Sequence, residues 1–284
     1  MFKNILFPVK KNEKVGRVLE MARFLRIFDT EKIILLHVGK NTGTNRITNL
    51  KRIQEALENE SYTTELIFRQ GHVPAQIVRA GTEKEASFIS LPWKRKNPIR
   101  RAIMGNVSSD VIRLSNQPVL VHKKSKGFSA EKELNNVLYA TGLMSTDIKI
   151  LNYLTYRGFK AQNLILFHVG ERAPDPVAEE DRIKRVHNSM SGIEEKCTHC
   201  FDQIEKIEAV AAGSVSTRIA RKASRKGAGL IIIGKVDTQR PFEKITGSVA
   251  ESLPEKANCP VLIIPGGYGD VEKNHEEEKT NEKN

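Results

Sequence analysis

The chain has 284 residues, 39% of them hydrophobic and 28% charged, with a formal net charge of +12. That length suggests two domains of ordinary globular composition, and no run reaches the ~18 apolar residues of a membrane span. Three cysteines exclude a disulfide framework, and the short apolar stretch in "MFKNILFPVKKNEK" lacks a small-residue cleavage site, so the expected location is cytoplasmic.

In chain order, short apolar runs alternate with helical patterns. The predicted strands of the first part are Asn4–Val9, Lys32–Val38, Thr63–Arg69, Phe88–Leu91 and Pro118–His122. Between them, "EKVGRVLEMARFLRIF", "RITNLKRIQEALENE", "PAQIVRAGTEKEA" and "NVSSDVIRLSNQ" space apolar residues three to four apart, as amphipathic helices do. The second part repeats the order, with strands near Asn136–Ala140, Asn163–Val169, Gln203–Val210, Leu230–Ile233 and Pro260–Ile264. The first, second and fourth strands of each part are continuous apolar runs, which fits parallel strands covered on both faces. The expected fold class is α/β: two tandem doubly wound, mainly parallel five-stranded sheets with helices on both faces.

The repeat is visible residue by residue. "KIILLHVGK" from Lys32 matches "NLILFHVGE" from Asn163, and "GHVPAQIVR" from Gly71 matches "GSVSTRIAR" from Gly213. "GNVSSDVIRLSNQPVLVHK" from Gly105 matches "GSVAESLPEKANCPVLIIP" from Gly247. The offset is 131–132 in the first two strands and 142 later, so the second copy carries about ten extra residues between His168 and Gly213. The expected division is domain 1 at 1–124, a polar linker at 125–133, domain 2 at 134–265 and a charged, unstructured tail at 266–284. The tail holds six acids and three lysines, leaving the rest of the chain near +15 and suited to anionic partners.

In open α/β sheets ligands bind beyond the carboxyl ends of strands, where strand order reverses. In the second copy those positions follow Ala140, Val169 and Ile233. Gly234 would let backbone approach a ligand, and Gly247-Ser248 precedes a helical run whose first amides, from Val249, suit an anion. The duplicated pattern, the "PVLVHK" and "PVLIIP" strands and this loop resemble the universal stress protein family, of the adenine-nucleotide α-hydrolase-like group. The resemblance covers roughly residues 1–265. It implies an ATP, ADP or AMP site, with or without magnesium, built on G-x2-G-x9-G-[ST] after the fourth strand, with adenosine held by an aspartate after the first strand and by backbone after the first two strands.

On that frame the implied contacts are Ala140, Thr141, Gly142, Val169, Gly234, Asp237, Gly247, Ser248 and Val249. Two departures stand out. Asp237 replaces the second glycine, and two unit charges ~4 Å apart repel by ~4 kcal/mol at an effective dielectric of 20. Lys235 or a metal could offset part of that. Gly142 takes the aspartate position. The first copy departs further, with Pro92 and Arg95 in place of the two glycines and Lys10 in place of the aspartate. Its loop Trp93–Arg101 is instead rich in lysine and arginine, offering either a nucleic-acid contact or a solvated surface.

No nucleophile, base and metal constellation specifies a reaction, so the expectation is a non-enzymatic regulatory protein. A basic module contacting nucleic acid or protein, and a weak ATPase or nucleotide switch, remain open alternatives. His37 and His168 recur inside apolar strands and read as structural. Ser108, Ser109, Ser145, Thr146 and Asp147 read as helix-start residues. Cys197 and Cys200, with His199 between them, read as reduced thiols near a helix end. The resemblance further implies that the domains associate through their last strands, as a pseudo-dimer within the chain, with a homodimer possible.

Overall fold

The computed structural model describes residues 2–39, 44–92, 107–122, 134–144, 146–210, 213–235 and 249–266, without the side chains of 44–47. The linker at 125–133, the tail beyond 266, the loop Trp93–Arg101 and the site candidates Asp237, Gly247 and Ser248 lie outside the described residues.

The first half runs β1 Asn4–Pro8, α1 Val15–Leu25, β2 Lys32–Val38, α2 Thr44–Asn59, β3 Thr63–Arg69, α3 Val73–Glu83, β4 Phe88–Pro92, α4 Val107–Leu114 and β5 Val119–His122. The second runs β6 Leu134–Thr141, α5 Thr146–Leu154, β7 Ala161–Gly170, α6 Pro176–Cys197, β8 Gln203–Val210, α7 Val215–Arg225, β9 Leu230–Lys235, α8 Val249–Lys256 and β10 Val261–Pro265. Within each half every strand pairing is parallel. The added residues of the second copy lengthen one helix, since α6 has 22 residues against 16 in α2.

The two five-stranded sheets are continuous. The order is β3-β2-β1-β4-β5-β10-β9-β6-β7-β8, joined where β10 runs antiparallel to β5, with Leu262 opposite Leu120. This arrangement covers an edge that each half alone would expose. Pro118 and Pro260 fall just before the last strands because proline has no N–H for the ladder. Their carbonyls still accept from Ile89 and Ile231 at 2.9 and 3.0 Å, a duplicated detail.

Helices follow from apolar spacing. In α7 the buried residues are Ser216, Ile219, Ala220 and Ala223, one stripe at helical period. In α6, Asp175 accepts from the Ala178 amide at 2.9 Å and Pro176 occupies the first turn, a well-formed helix start. Two cores result, one on each sheet face. The first holds residues of α1, α2, α5 and α6, and the second residues of α3, α4, α7 and α8.

The halves also share packing outside the strands. Phe2 lies with ring centroids 5.1 Å from Tyr153 and 5.4 Å from Tyr156, and Phe28 stacks on Phe159 at 5.6 Å. The Lys160 amide donates to the Ile27 carbonyl at 2.8 Å. Aromatic pairs of this kind add ~0.5–1.5 kcal/mol each beyond the burial of their area.

Candidate functional site

In each half the sheet reverses strand order beside its first strand, between β1 and β4 and between β6 and β9. A crevice opens there in the first half, with a volume of about 600 Å³. Its walls come from the ends of β1, β2 and β4, from the loop Val9–Glu13, and from α3 and the start of α4. Pro8, Val9, Lys10, Val38, Pro92 and Val107 all line it. Adding the repeat offsets to these numbers gives Ala140, Thr141, Gly142, Val169, Gly234 and Val249. The described sequence-derived site residues of the second half are therefore the counterparts of lining residues in the first.

The second half brings Ala140, Thr141, Val169 and Gly234 to the carboxyl ends of β6, β7 and β9, with Val249 opening α8. Ala140 is paired with Ile233 of β9 and with Phe167 of β7, so the three strand ends are in register. Gly142 is exposed, and a Cβ there would meet only Met144 at ordinary distance, 3.6 Å. Gly234 is different. A Cβ there would lie 2.9 Å from Thr146 Oγ1 and 3.3 Å from Ile150 Cδ1. Its missing side chain thus makes room for α5, a packing reason that does not need a ligand.

Lys235, which the sequence offers as an offset to Asp237, has its ammonium on the other half. It donates to the carbonyls of Ile112, Arg113 and Ser115 at 3.1, 3.0 and 3.1 Å. These carbonyls close α4, where helix-end acceptors lack intrahelical donors.

The duplicated histidines share one task. His37 Nδ1 lies 3.0 Å from the Val9 carbonyl and His168 Nδ1 lies 3.1 Å from the Thr141 carbonyl. A carbonyl only accepts, so Nδ1 carries the proton in both. Each ring ties the carboxyl end of one strand, or the residue just after it, to the neighbouring strand. The glycine two residues on is part of the device: a Cβ at Gly39 or Gly170 would lie 3.1 or 2.9 Å from the ring Nε2. The repeated H-V-G is therefore a structural motif at the crevice rim.

A buried polar group, read from sequence only as a helix-start residue, stands beside the carboxyl end of β6. Asp147, in the first turn of α5, accepts from the Tyr139 hydroxyl, from Thr141 Oγ1 at 2.8 Å and from the Met144 amide at 3.1 Å. Thr141 Oγ1 in turn accepts from the Leu143 amide at 2.9 Å. Burial raises the Asp147 carboxyl above its ordinary range, and the Tyr139, Thr141 and Met144 hydrogen bonds oppose that rise. The signal that could have found it is Tyr139, a hydroxyl inside an apolar strand that needs a partner.

Cys197 is buried at the end of α6, where burial, followed by the neighbouring Cys200, pushes its thiol up to about 12. Cys200 is exposed, and its amide donates to the Cys197 carbonyl at 2.9 Å. Among the described residues no group of three or more His, Cys, Asp or Glu side chains is placed to hold a metal ion. Ser108, 8% exposed, lines the crevice at the start of α4.

The fold has close relatives. A solved universal stress protein from Archaeoglobus fulgidus superposes with TM-score 0.67 at 19% identity, covering 94% of this chain and 98% of its own. A functionally unknown protein, PA1789 from Pseudomonas aeruginosa, gives TM-score 0.70 at 17% identity, covering 99% and 98%. Universal stress protein MJ0577 of Methanocaldococcus jannaschii is 23% identical over 156 residues, which is 44% of this chain and 96% of that protein. The family model described as "Universal stress protein family" matches residues 43–123 and 158–265, in both halves. This chain belongs to the universal stress protein family.

Proposed function

We propose that this protein is a non-catalytic regulator that binds an adenine nucleotide, or an anionic small molecule of similar shape, in the crevice of its first half. The observation that carries this reading is the crevice itself. At about 600 Å³ it is of the size that holds small ligands. Leu36, Ile77 and Leu91 give it apolar walls against which a base could pack. Lys10 and Lys11, both exposed, supply positive charge, and the start of α4 adds the positive end of its helix dipole. Pro92 offers no N–H at the end of β4, so phosphate contacts would fall to the lysines and α4.

A second reading keeps the nucleotide in the second half. The partial motif of Gly234, Asp237, Gly247 and Ser248 supports it, together with Ala140, Thr141, Gly142, Val169 and Val249. The exposed, uncrowded Gly142 favours it further, because a ligand could reach the backbone there. A cytoplasmic place of action belongs to the same proposal. Among the described residues no helix is long and apolar enough to cross a membrane.

The test is calorimetric titration of nucleotide-free protein with ATP, ADP and AMP, with and without magnesium. Binding in the first crevice predicts that Lys10→Glu raises Kd about tenfold, or 1.4 kcal/mol. Binding in the second predicts that Lys10→Glu changes nothing and Asp237→Gly tightens the complex. No heat in any titration, with no ligand retained in native mass spectrometry, removes both readings.

A further inference from the structure

The two halves share a fold but not a charge distribution, and α7 shows the difference. Its segment 213–227, "GSVSTRIARKASRKG", holds five basic residues and no acid. The counterpart 71–85, "GHVPAQIVRAGTEKE", holds two basic residues and two acids. In the first half three of those four charges are paired: Arg79 binds Glu83, as does Arg69 of β3, and Lys84 binds Glu65. In the second half Lys226 binds Glu205 and Lys222 lies 5.5 Å from the centre of the Phe167 ring. Arg221 and Arg225 are exposed, and Arg218 is half-exposed.

At 100° per residue, Arg218, Arg221, Lys222, Arg225 and Lys226 fall within an arc of about 140°. The buried stripe of Ser216, Ile219, Ala220 and Ala223 occupies the opposite side. From Arg218 to Arg225 the helix rises about 10 Å, the length over which one nucleic-acid strand presents about three phosphates. Lys256 of α8 is exposed at the N-terminal end of α7, where its ammonium donates to Ser214 and Ser216 Oγ, both at 2.7 Å. It adds one more positive charge at that end of the helix.

We propose that the outer face of α7, with Lys256, is a docking surface for the phosphate backbone of a nucleic acid, engaged without base specificity. A membrane is the other polyanion such charge could meet. Surface helices hold bilayers by inserting an apolar face, however, and the apolar face of α7 is spent on the protein core.

The test uses the full chain with fluorescein-labelled duplex DNA and single-stranded RNA of about 20 nucleotides, followed by anisotropy from about 50 to 200 mM salt. Wild type should bind both, with a log–log salt slope near −3 on the duplex and near −2 on the single strand, and Arg221→Glu/Arg225→Glu should weaken binding at least tenfold and reduce the duplex slope by about 2. Lys51→Glu/Arg52→Glu on the exposed face of α2 should leave both unchanged. An unaltered melting temperature shows that the charge reversals leave the fold intact. The proposal falls if wild type binds neither polymer at about 50 mM salt, where phosphate contacts are strongest. It falls equally if the α7 variant binds like wild type while charge reversal of Lys94, Arg95, Arg100 and Arg101 abolishes binding. Tighter association with phosphatidylserine-rich vesicles than with either nucleic acid would also overturn it.

Discussion

The ammonium of Lys235, at the end of β9, lies 3.1 Å from the carbonyl oxygen of Ser115, across the boundary between the halves. With the carbonyls of Ile112 and Arg113 it forms a three-acceptor cap on α4. One side chain of the second half thus completes a helix of the first. Hydrogen bonds to a charged group contribute ~1.5–3 kcal/mol when buried, and partial exposure brings this down. Lys235→Met, which keeps the stem, should cost about 1–2 kcal/mol in urea denaturation. A change within ~0.3 kcal/mol of wild type would show that solvent already satisfies those carbonyls.

Gly234 and Thr146 form a second diagnostic pair. Gly234→Ala places a methyl 2.9 Å from Thr146 Oγ1, closer than side-chain carbons settle. Overpacking of this sort costs about 1–3 kcal/mol. Gly142→Ala, in open surroundings, should cost no more than ~0.5 kcal/mol. Thr146→Ala removes both the hydroxyl and the methyl and should restore most of the stability of Gly234→Ala. Strict additivity of the two changes would refute the contact.

His122 is buried on β5, and neither ring nitrogen has a hydrogen-bond partner among the described residues. It packs edge-on to Phe24 with centroids 5.3 Å apart. Burial, aided by the Arg17 charge, lowers its pKa to about 4. The unfolded chain therefore binds a proton before the folded one does. Stability from neutral His122 is complete above the unfolded value of ~6.5 and drains away as pH falls toward about 4. The repeat supplies the control, since Ile264 holds the equivalent place in β10. His122→Ile should flatten the stability profile between those limits, measured by urea denaturation at several pH values. An unchanged slope would assign the acid sensitivity elsewhere.

Asp147 carries the opposite sign. Its carboxyl is raised by burial, so the folded state holds the proton to higher pH than the unfolded state. Its contribution is most favourable below the ordinary aspartate range, ~3.9, and is lost as pH rises through the raised value. Asp147→Asn stays neutral, so wild type should lose stability relative to the variant over that window as pH rises. The variant gives up the Met144 amide bond, a pH-independent cost of about 1 kcal/mol. A difference between the two proteins that is flat with pH would show that Asp147 titrates normally.

The sequence alone determined the strands, because continuous apolar runs such as Ile33–Leu36 and Leu230–Ile233 have one economical use, between two layers of helices. It determined the repeat, and through the offsets it marked the sheet's switch points as the places for a ligand. It also marked His37 and His168 as structural, which the matched tethers to Val9 and Thr141 bear out. Tertiary structure alone decided the rest. Motif matching favoured the second half for a ligand, and the tertiary structure adds a crevice in the first half, at the counterpart positions Pro8, Val9, Lys10, Val38, Pro92 and Val107. Gly234 reads from sequence as backbone open to a ligand, and the fold adds a second reason for glycine there, the packing of Thr146 from another element. Lys235 looked local and proved to serve the other half. Asp147 looked like an ordinary helix-start acid until Tyr139 closed over it. In each case the deciding neighbour is set by packing across elements, which sequence periodicity does not encode.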